Sequence, residues 1–316
     1  MKSKPYISVV IPVYKCEKCL VELCKRLKQA LGKLNKEFEI IFINDASPDN
    51  AWQVITELGE KDKRVTGICL SRNFGQHYAI AAGLERVSGE WIVVMDCDLQ
   101  DQPEEIINLH QKAMEGYDIV LAQRINRKDI WFKKIISKIF YKVLGYLTKT
   151  KQDSKVANFG VFNKKVIQAI LNMKDSIRYF PTMVRWVGFK TIQISVSHAP
   201  RENGSSSYTI RMMLKLGINT VLSFSEKPLV LVAIFGLIIS AFSFIIGIVY
   251  IIKYFLGDIE VLGFATIIIS ISFLSGMIIL VLGIIGLYIG KIFENVKNRP
   301  TYIISESINL KKENNE

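Results

Sequence analysis

The 316-residue chain lacks a G-x-G-x-x-G motif, which makes a dinucleotide-binding interpretation poor. It also lacks internal repeats and low-complexity segments, so we expect neither a repeat architecture nor an extended disordered region. The N-terminus begins with basic residues, but the apolar stretch after them is short and is interrupted by Pro12. We therefore expect no signal peptide, and an N-terminal part that stays in the compartment where it is made.

Cysteine is scarce, and its number is odd. The five cysteines are Cys16, Cys19, Cys24, Cys69 and Cys97. Cys16 and Cys19 form a single C-x-x-C without a second pair, which makes a zinc site improbable. In a reducing compartment we expect ordinary thiols.

Charged residues are absent from two long runs, 228–252 and 261–290. Twenty-five helical residues span about 37 Å, which is enough for a hydrocarbon core of about 30 Å. A buried core hairpin is the alternative, but uncharged runs of this length rarely occur in soluble cores. The loop between the runs is short and nearly neutral, and the outer flanks are basic. By the positive-inside rule we expect two transmembrane helices with both termini in the cytoplasm.

The net charge of +12 could indicate nucleic acid binding, but its distribution favours a membrane. Between Arg124 and Lys151 there are nine Lys or Arg and one acid, interleaved with Ile, Phe, Trp and Leu. This composition is typical of a basic amphipathic helix in a membrane interface. A basic surface helix packed on its own domain remains the alternative. The excess charge would help to seat the protein on anionic lipids.

Five β-rich runs alternate with helical patterns over the first 125 residues. The predicted strands are 6–14, 38–44, 64–70, 90–96 and 117–122, and the predicted helices lie near 17–34, 50–60, 76–87 and 103–115. This alternation predicts an α/β fold with a doubly wound, mainly parallel sheet. Strands so continuously apolar should be buried on both faces. Less regular patterns predict a strand and a helix over 156–171 and a strand over 190–201, with a polar tail partly disordered beyond Ser305.

Clustered polar or charged groups follow four of the five predicted strands: NDASPD, SRNFG, DCDLQD and QRINR. Ligands bind beyond the carboxyl ends of the strands in such sheets, so we predict a ligand site there. Asp45 offers an acceptor for a nucleobase N–H group, and Arg72 can bind a phosphate or stack on a base.

Asp96 and Asp98 form a D-x-D pair at a strand end, and Gln100 continues the same alternation. Carboxylate oxygens suit Mg²⁺ or Mn²⁺, and Mg²⁺ usually completes its coordination with phosphates and water. Taken alone, D-x-D is a weak signal, because a solvated acidic loop has the same pattern. Cys97 is expected to turn into the fold, and Asp101 to cap the helix that begins at Pro103.

The segments SVVIPVY, INDASPD, LSRNFGQHYAIAAGL, MDCDLQDQP and RENGSSSY have an order and spacing that resembles glycosyltransferase family 2. The closer resemblance is to the polyprenyl-phosphate glycosyltransferases, which include dolichyl-phosphate mannose synthase and bactoprenol-phosphate glucosyltransferases. It covers roughly residues 5–226 and the two apolar runs. The resemblance implies a GT-A fold and inverting transfer of a sugar from a nucleotide sugar to a lipid phosphate.

Matching positions imply roles for individual residues. The resemblance implies nucleotide-sugar binding by Pro12, Tyr14, Asp45, Arg72 and Asp96. It implies metal binding by Asp96, Asp98 and Gln100. It implies binding of the acceptor phosphate or the leaving diphosphate by Arg124, Arg127, Arg201, Ser206 and Tyr208. It implies catalytic roles for Asp98, Arg201 and Asp153, the last as a weak base or as the residue that orients an arginine.

Three positions depart from the family pattern. Asn44 stands where the family often has an acid, and Ala46 where it often has glycine. Ser207 stands at a commonly basic position, which leaves one cation fewer for phosphate.

The sequence thus predicts a cytoplasmic GT-A domain over 1–226, with interfacial helices near 130–150 and 208–225, a two-helix anchor over 227–290 and a cytoplasmic tail over 291–316. The predicted reaction transfers a sugar from UDP-glucose or UDP-GlcNAc to undecaprenyl phosphate at the inner membrane, for cell-envelope glycosylation, with Mg²⁺ or Mn²⁺ and without nucleic acid. A homotetramer is implied by resemblance only. The alternatives are a processive polysaccharide synthase, which would need more membrane helices, and a non-catalytic membrane scaffold of the same fold.

Overall fold

The apolar runs of the sequence form strands in the computed structural model, which describes residues 4–124, 145–147, 156–173, 179–197, 221–222, 225–256, 263–297 and 299–310. The strands are β1 (Ile7–Val13), β2 (Phe38–Asn44), β3 (Val65–Leu70), β4 (Trp91–Val94), β5 (Ile119–Arg124), β6 (Val156–Asn163), β7 (Thr191–Val196) and β8 (Ile304–Ile308). The helices are α1 (Glu17–Gly32), α2 (Ala51–Lys61), α3 (Gln76–Leu84), α4 (Glu105–Met114), α5 (Lys164–Leu171), α6 (Phe180–Trp186), α7 (Lys227–Phe255) and α8 (Phe264–Val296). The two predicted interfacial helices fall outside the described residues, apart from 145–147, 221–222 and 225.

The eight described strands form one sheet in the order β7-β5-β6-β4-β1-β2-β3-β8. Neighbours in the series β4-β1-β2-β3 are all parallel, and β5 is parallel to β7. β6 is antiparallel to both β4 and β5, and β8 is antiparallel to β3. The prediction of a mainly parallel sheet is therefore confirmed, with two antiparallel strands that the alternation of strands and helices did not reveal.

The central strand β1 is buried along its whole length. Its alternate residues, among them Val9 and Ile11, belong to one core cluster with apolar residues of α1, α2 and α4. Val10 points to the other face, where a Cβ atom on Gly83 of α3 would lie only 2.5 Å from its Cγ1 atom. Helices therefore cover both faces, as the continuous apolar runs predicted.

The C-terminal segment returns to this sheet. Residues Met1–Tyr146, Thr150–Ile210 and Pro300–Glu316 form one unit of the chain. The prediction of disorder beyond Ser305 is wrong for the described residues up to 310, because β8 pairs with β3. Ile308 lies opposite Gly67, and Ile304 lies opposite Leu70. Its sequence, ISESI, alternates apolar and polar residues, which suits an edge strand with one half-buried face.

The second unit comprises Leu147–Lys149 and Arg211–Arg299, and it contains α7 and α8. Both helices are long and apolar enough to cross a membrane by length and composition. Large apolar side chains project from them, including Leu237, Phe244 and Phe255, which are exposed over 70% or more of their surface. Within this unit the Tyr288 hydroxyl donates a hydrogen bond of 2.8 Å to the Ser225 carbonyl oxygen.

Gly67 tests whether α2 and β8 pack on β3 as closely as the structure indicates. A Cβ atom at this position would lie 2.5 Å from Ile55 and 2.8 Å from Ile308. We expect Gly67→Ala to lower the free energy of unfolding by about 1–3 kcal/mol, measured by thermal unfolding in detergent. Gly32→Ala is the matched control, because nothing lies within 4 Å of the added atom. Equal stability of the two variants would contradict this packing.

Candidate active site

The predicted site lies where neighbouring parallel strands end. β4, β1, β2 and β3 run in the same direction, so the segments that follow them meet at one edge of the sheet. β5 runs in the same direction across the antiparallel β6, which brings its last residue, Arg124, to that edge. The sheet thus brings together Tyr14, Asp45, Arg72, the D-x-D pair and the backbone of Arg124.

Asp45 ties the end of β2 to the segment after β3. Its carboxylate is 2% exposed and accepts hydrogen bonds from the backbone N–H groups of Phe74, at 2.7 Å, and Gly75, at 2.8 Å. Burial raises the pKa of Asp45, while the two N–H groups and Arg72 oppose that rise. This loop-holding role is one that the sequence did not reveal, and contact with a nucleobase stays a prediction.

Arg72 presents a cation at the same edge. Its guanidinium group lies over the Phe74 ring at 4.0 Å, and it donates a hydrogen bond to the Asn73 carbonyl oxygen. The side chain is exposed. Stacking on one face leaves the planar donor groups of an arginine at its rim, where they suit phosphate oxygens.

The D-x-D pair is oriented by hydrogen bonds. Gln76 Nε2 donates to Asp96 Oδ1 at 2.7 Å, and the Gln100 backbone N–H donates to Asp98 Oδ1 at 3.3 Å. Gln76 is the first residue of α3 and follows Gly75, whose φ of 103° favours glycine. The RNFGQ segment therefore donates hydrogen bonds to Asp45 and to Asp96, through the Gly75 backbone N–H and the Gln76 side chain respectively. The sequence alone does not single out Gln76, because a glutamine at the start of a helix carries no distinctive signal.

The donor set fits a hard cation. Among the described residues no group of three or more His, Cys, Asp or Glu side chains has a geometry that could hold a metal ion. The predicted ligands are two carboxylates and one amide, so all three offer oxygen, as Mg²⁺ and Mn²⁺ prefer. A carboxylate can bind a metal through one oxygen while the other accepts an orienting hydrogen bond, as Asp96 does from Gln76.

Asp101 does not cap α4, contrary to the prediction. The helix begins at Glu105, its N-cap residue is Glu104, and no side chain caps it by a hydrogen bond. Asp101 is instead buried, at 1% exposure. The residues from Pro103 to Glu104 form a turn before the helix starts, which moves the cap position away from Asp101.

A disulfide joins Cys16 to Cys97. The expectation of ordinary thiols is therefore wrong for these two residues, while Cys19, Cys24 and Cys69 form no disulfide. The reason is spatial, because β1 and β4 are parallel neighbours and each cysteine lies three residues beyond its strand. Cys97 does turn inward, as expected, and its bond ties the D-x-D segment to the start of α1.

A second network joins the segments after β1 and β2. Ser47 Oγ accepts from the Lys15 backbone N–H at 2.7 Å and donates to Asp49 Oδ1, while Asp49 Oδ2 accepts from the Glu17 backbone N–H at 3.0 Å. Burial opposes ionisation of Asp49, but hydrogen bonds from Ser47, Glu17 and Ala51 outweigh it and lower its pKa. The network fixes a segment in which Ala46 has a φ of 47°, a conformation that favours the glycine of the family pattern.

The other predicted residues are distributed as follows. Pro12 is buried within β1, and Tyr14 is 41% exposed with the Lys15 ammonium group 5.5 Å from its ring centre. Further predicted residues lie outside the described part of the chain: Arg127, Asp153, Arg201, Ser206, Ser207 and Tyr208.

Comparison with known proteins points to one family. The sequence model of glycosyl transferase family 2 matches residues 8–171. An uncharacterized glycosyltransferase, YkcC of Bacillus subtilis, is 34% identical over 304 residues, which cover 96% of this chain and 94% of that protein. The undecaprenyl-phosphate 4-deoxy-4-formamido-L-arabinose transferase of Proteus mirabilis is 32% identical over 311 residues. The match covers 98% of this chain and 95% of the Proteus protein.

The fold has a counterpart among solved structures. The crystal structure of a mycobacterial protein matches with a TM-score of 0.50 and 14% identity, covering 70% of this chain and 75% of the other. At this identity the match concerns the fold alone.

Thiol counting tests the disulfide beside the D-x-D pair. In protein purified without reductant and then denatured, we expect iodoacetamide to label three cysteines, and five after reduction, as measured by intact mass. Cys97→Ser is the control, in which four thiols should react with or without reductant. Five labels on the unreduced parent protein would contradict the bond.

Proposed function

The chain belongs to glycosyl transferase family 2, and we propose that it transfers a sugar from a nucleotide sugar to a polyprenyl phosphate. Its mainly parallel α/β sheet is the GT-A fold expected from the sequence. The observation that carries the proposal is the meeting of the Asp45–Arg72 segment and the D-x-D pair at one edge of the sheet. A relative from Proteus mirabilis, named for undecaprenyl phosphate and aligned over nearly the whole chain, supports the acceptor class.

The nucleotide is assigned to the segments after β1, β2 and β3. Arg72 presents an exposed planar cation that suits a phosphate or the face of a base. Asp45 holds the Phe74–Gly75 backbone beside it, and its carboxylate oxygens are also suitable acceptors for a base N–H group. Pro12 and Tyr14, at the end of β1, complete the proposed nucleotide-sugar contacts.

Asp96, Asp98 and Gln100 would hold Mg²⁺ or Mn²⁺ at the diphosphate. When bound, such a cation neutralises the charge that grows on the leaving nucleoside diphosphate. Gln76 orients Asp96 through its hydrogen bond, and the Gln100 backbone N–H orients Asp98 in the same way. Both contacts hold the pair before any ligand arrives, which reduces reorganisation during transfer.

The acceptor phosphate is the proposed nucleophile. One of its oxygens forms a bond to the anomeric carbon as the bond from that carbon to the diphosphate oxygen breaks, so the configuration inverts. A phosphomonoester has a second pKa of about 6 and is mostly dianionic at neutral pH, so the chemistry does not require a strong general base. We assign neutralisation of the acceptor or of the leaving group to Arg124, Arg127, Arg201, Ser206 and Tyr208. Asp153 acts as a weak base or orients one of these arginines.

The apolar helices support a reaction at a membrane surface. The exposed apolar surfaces of α7 and α8 suit lipid, and a polyprenyl phosphate keeps its phosphate at the bilayer surface. β7 precedes α7 and β8 follows α8, yet both strands belong to one sheet, so a chain that leaves through the membrane must return to the same side. We propose that this side is the cytoplasm, where nucleotide sugars are available, with the domain boundaries and interfacial helices predicted above.

The donor is proposed to be UDP-glucose or UDP-GlcNAc, and the product a lipid-linked sugar for cell-envelope glycosylation. A thermal-shift screen of nucleotide sugars with Mn²⁺ would identify the donor. A rise in melting temperature with a GDP-sugar and with no UDP-sugar would overturn the choice of nucleotide.

Asp98→Asn tests the site directly. In membranes supplied with radiolabelled UDP-glucose and undecaprenyl phosphate, we expect transfer to lipid to fall roughly 100-fold or more, since the amide removes a charged oxygen ligand. EDTA should abolish the parent activity, and Mn²⁺ should restore it.

Asp118→Asn is the matched control, because Asp118 pairs with Lys165 at 2.7 Å before the start of β5, away from the carboxyl ends of the strands. It should transfer at the parent rate. Transfer that persists in EDTA would overturn the metal role, and full activity of Asp98→Asn would overturn the site.

A further inference from the structure

The segment after the membrane helices reaches the strand that leads into the proposed nucleotide site. Ser71, the first residue beyond β3, donates its backbone N–H to the Ile303 carbonyl oxygen at 2.9 Å. Ser305 Oγ donates to the Cys69 carbonyl oxygen at 3.1 Å. Arg72 follows Ser71 directly, so the start of β8 adjoins the residues that present the exposed cation.

The contacts continue from this strand end to Asp45. Two residues beyond Arg72, the backbone N–H groups of Phe74 and Gly75 donate to the buried Asp45 carboxylate. Cys69, whose carbonyl oxygen accepts from Ser305, also accepts a hydrogen bond on its Sγ atom from Asn44 Nδ2 at 3.3 Å. The start of β8 and the end of β2 therefore hold the end of β3 from its two sides.

The segment is anchored along its length. The Tyr302 hydroxyl donates to Glu85 just beyond α3, and Trp52 Nε1 donates to Glu306 Oε2 at 2.9 Å. At the far end, Asn309 Nδ2 donates to the carbonyl oxygens of Gly59, at 2.6 Å, and Val65, at 2.9 Å. The proximal end, Tyr302–Ser305, lies beside the proposed site, and the distal end, Ile308–Asn309, lies beside the start of β3.

We propose that the proximal end of this segment positions the nucleotide site, so that residues C-terminal to the membrane helices set the affinity for the nucleotide sugar. The proposal rests on the proposed function. Ser305 holds the end of β3 directly, and Tyr302 holds the same C-terminal segment through Glu85, so both are positioning residues for the Ser71–Gly75 loop. The loop presents Arg72 and holds Asp45, so its loosening weakens nucleotide binding and leaves the lipid phosphate contacts as they are.

Two variants that each lose hydrogen bonds from this segment separate positioning from stability. Tyr302→Phe with Ser305→Ala removes the proximal pair of bonds. Asn309→Gly removes the distal pair and also the hydrogen bond that Asn309 Oδ1 accepts from Lys63 Nζ at 3.2 Å, and glycine tolerates the φ of 55° at this position. The distal variant should lower the melting temperature at least as much as the proximal variant, because it loses three hydrogen bonds where the proximal variant loses two.

The readout is UDP binding to the full detergent-solubilised chain with Mn²⁺, measured by calorimetry, together with KM and kcat. We expect the proximal variant to raise the UDP Kd and the KM for the nucleotide sugar about fivefold or more. Its kcat and its KM for undecaprenyl phosphate should stay within about twofold of the parent, and the distal variant should bind UDP as the parent does.

The outcomes distinguish this inference from the proposed function. If the parent chain binds UDP and both variants shift its Kd equally, the segment has only a structural role and the inference is overturned. If the proximal variant keeps the parent Kd, the inference fails in the same way. If the parent chain binds neither UDP nor GDP, the proposed function itself fails.

Discussion

The parallel pairing of β4, β1, β2 and β3 is the constraint on which the candidate active site depends. Parallel strands end at the same edge of the sheet, so strand pairing alone brings together segments that are far apart in sequence. That pairing brings Cys16 to Cys97 across 81 positions and the Asp45 carboxylate to two backbone N–H groups beyond β3. The polar residues could not occupy this edge unless both faces of β1 were covered by apolar side chains.

Much of this arrangement could be predicted from local patterns. The strand and helix bounds in the first 125 residues agree to within a few positions, because runs such as FEIIFIN have an unambiguous period and length. The polar segments at the candidate site could also be recognised, since D-x-D and RNFG are polar interruptions between apolar elements. The positions of Asp45, Arg72 and Asp96 at one edge of the sheet follow from chain order, because the segments after parallel strands lie at the same edge.

What could not be predicted depends on contacts between distant segments. Gln76 contacts Asp96, and Ser47 contacts both Lys15 and Asp49, but glutamine and serine at such positions are common on any surface. The Cys16–Cys97 bond was hidden by its separation in sequence, and the neighbouring C-x-x-C pattern drew attention to the wrong pair. β8 was missed because a polar composition suggested disorder, although ISESI carries the alternation of an edge strand.

The position of β8 also affects how the protein is made. Ile304 is synthesised more than two hundred residues after Leu70, with which it pairs, and both apolar helices are translated between them. At ribosomal rates of roughly 5–20 residues per second, β3 keeps an open hydrogen-bonding edge for about 10–50 seconds. During that interval the nascent sheet can accept a foreign strand, so a chaperone or rapid helix insertion would protect it. The edge closes only after both helices have been made, so completion of the sheet reports that the two apolar helices have been synthesised.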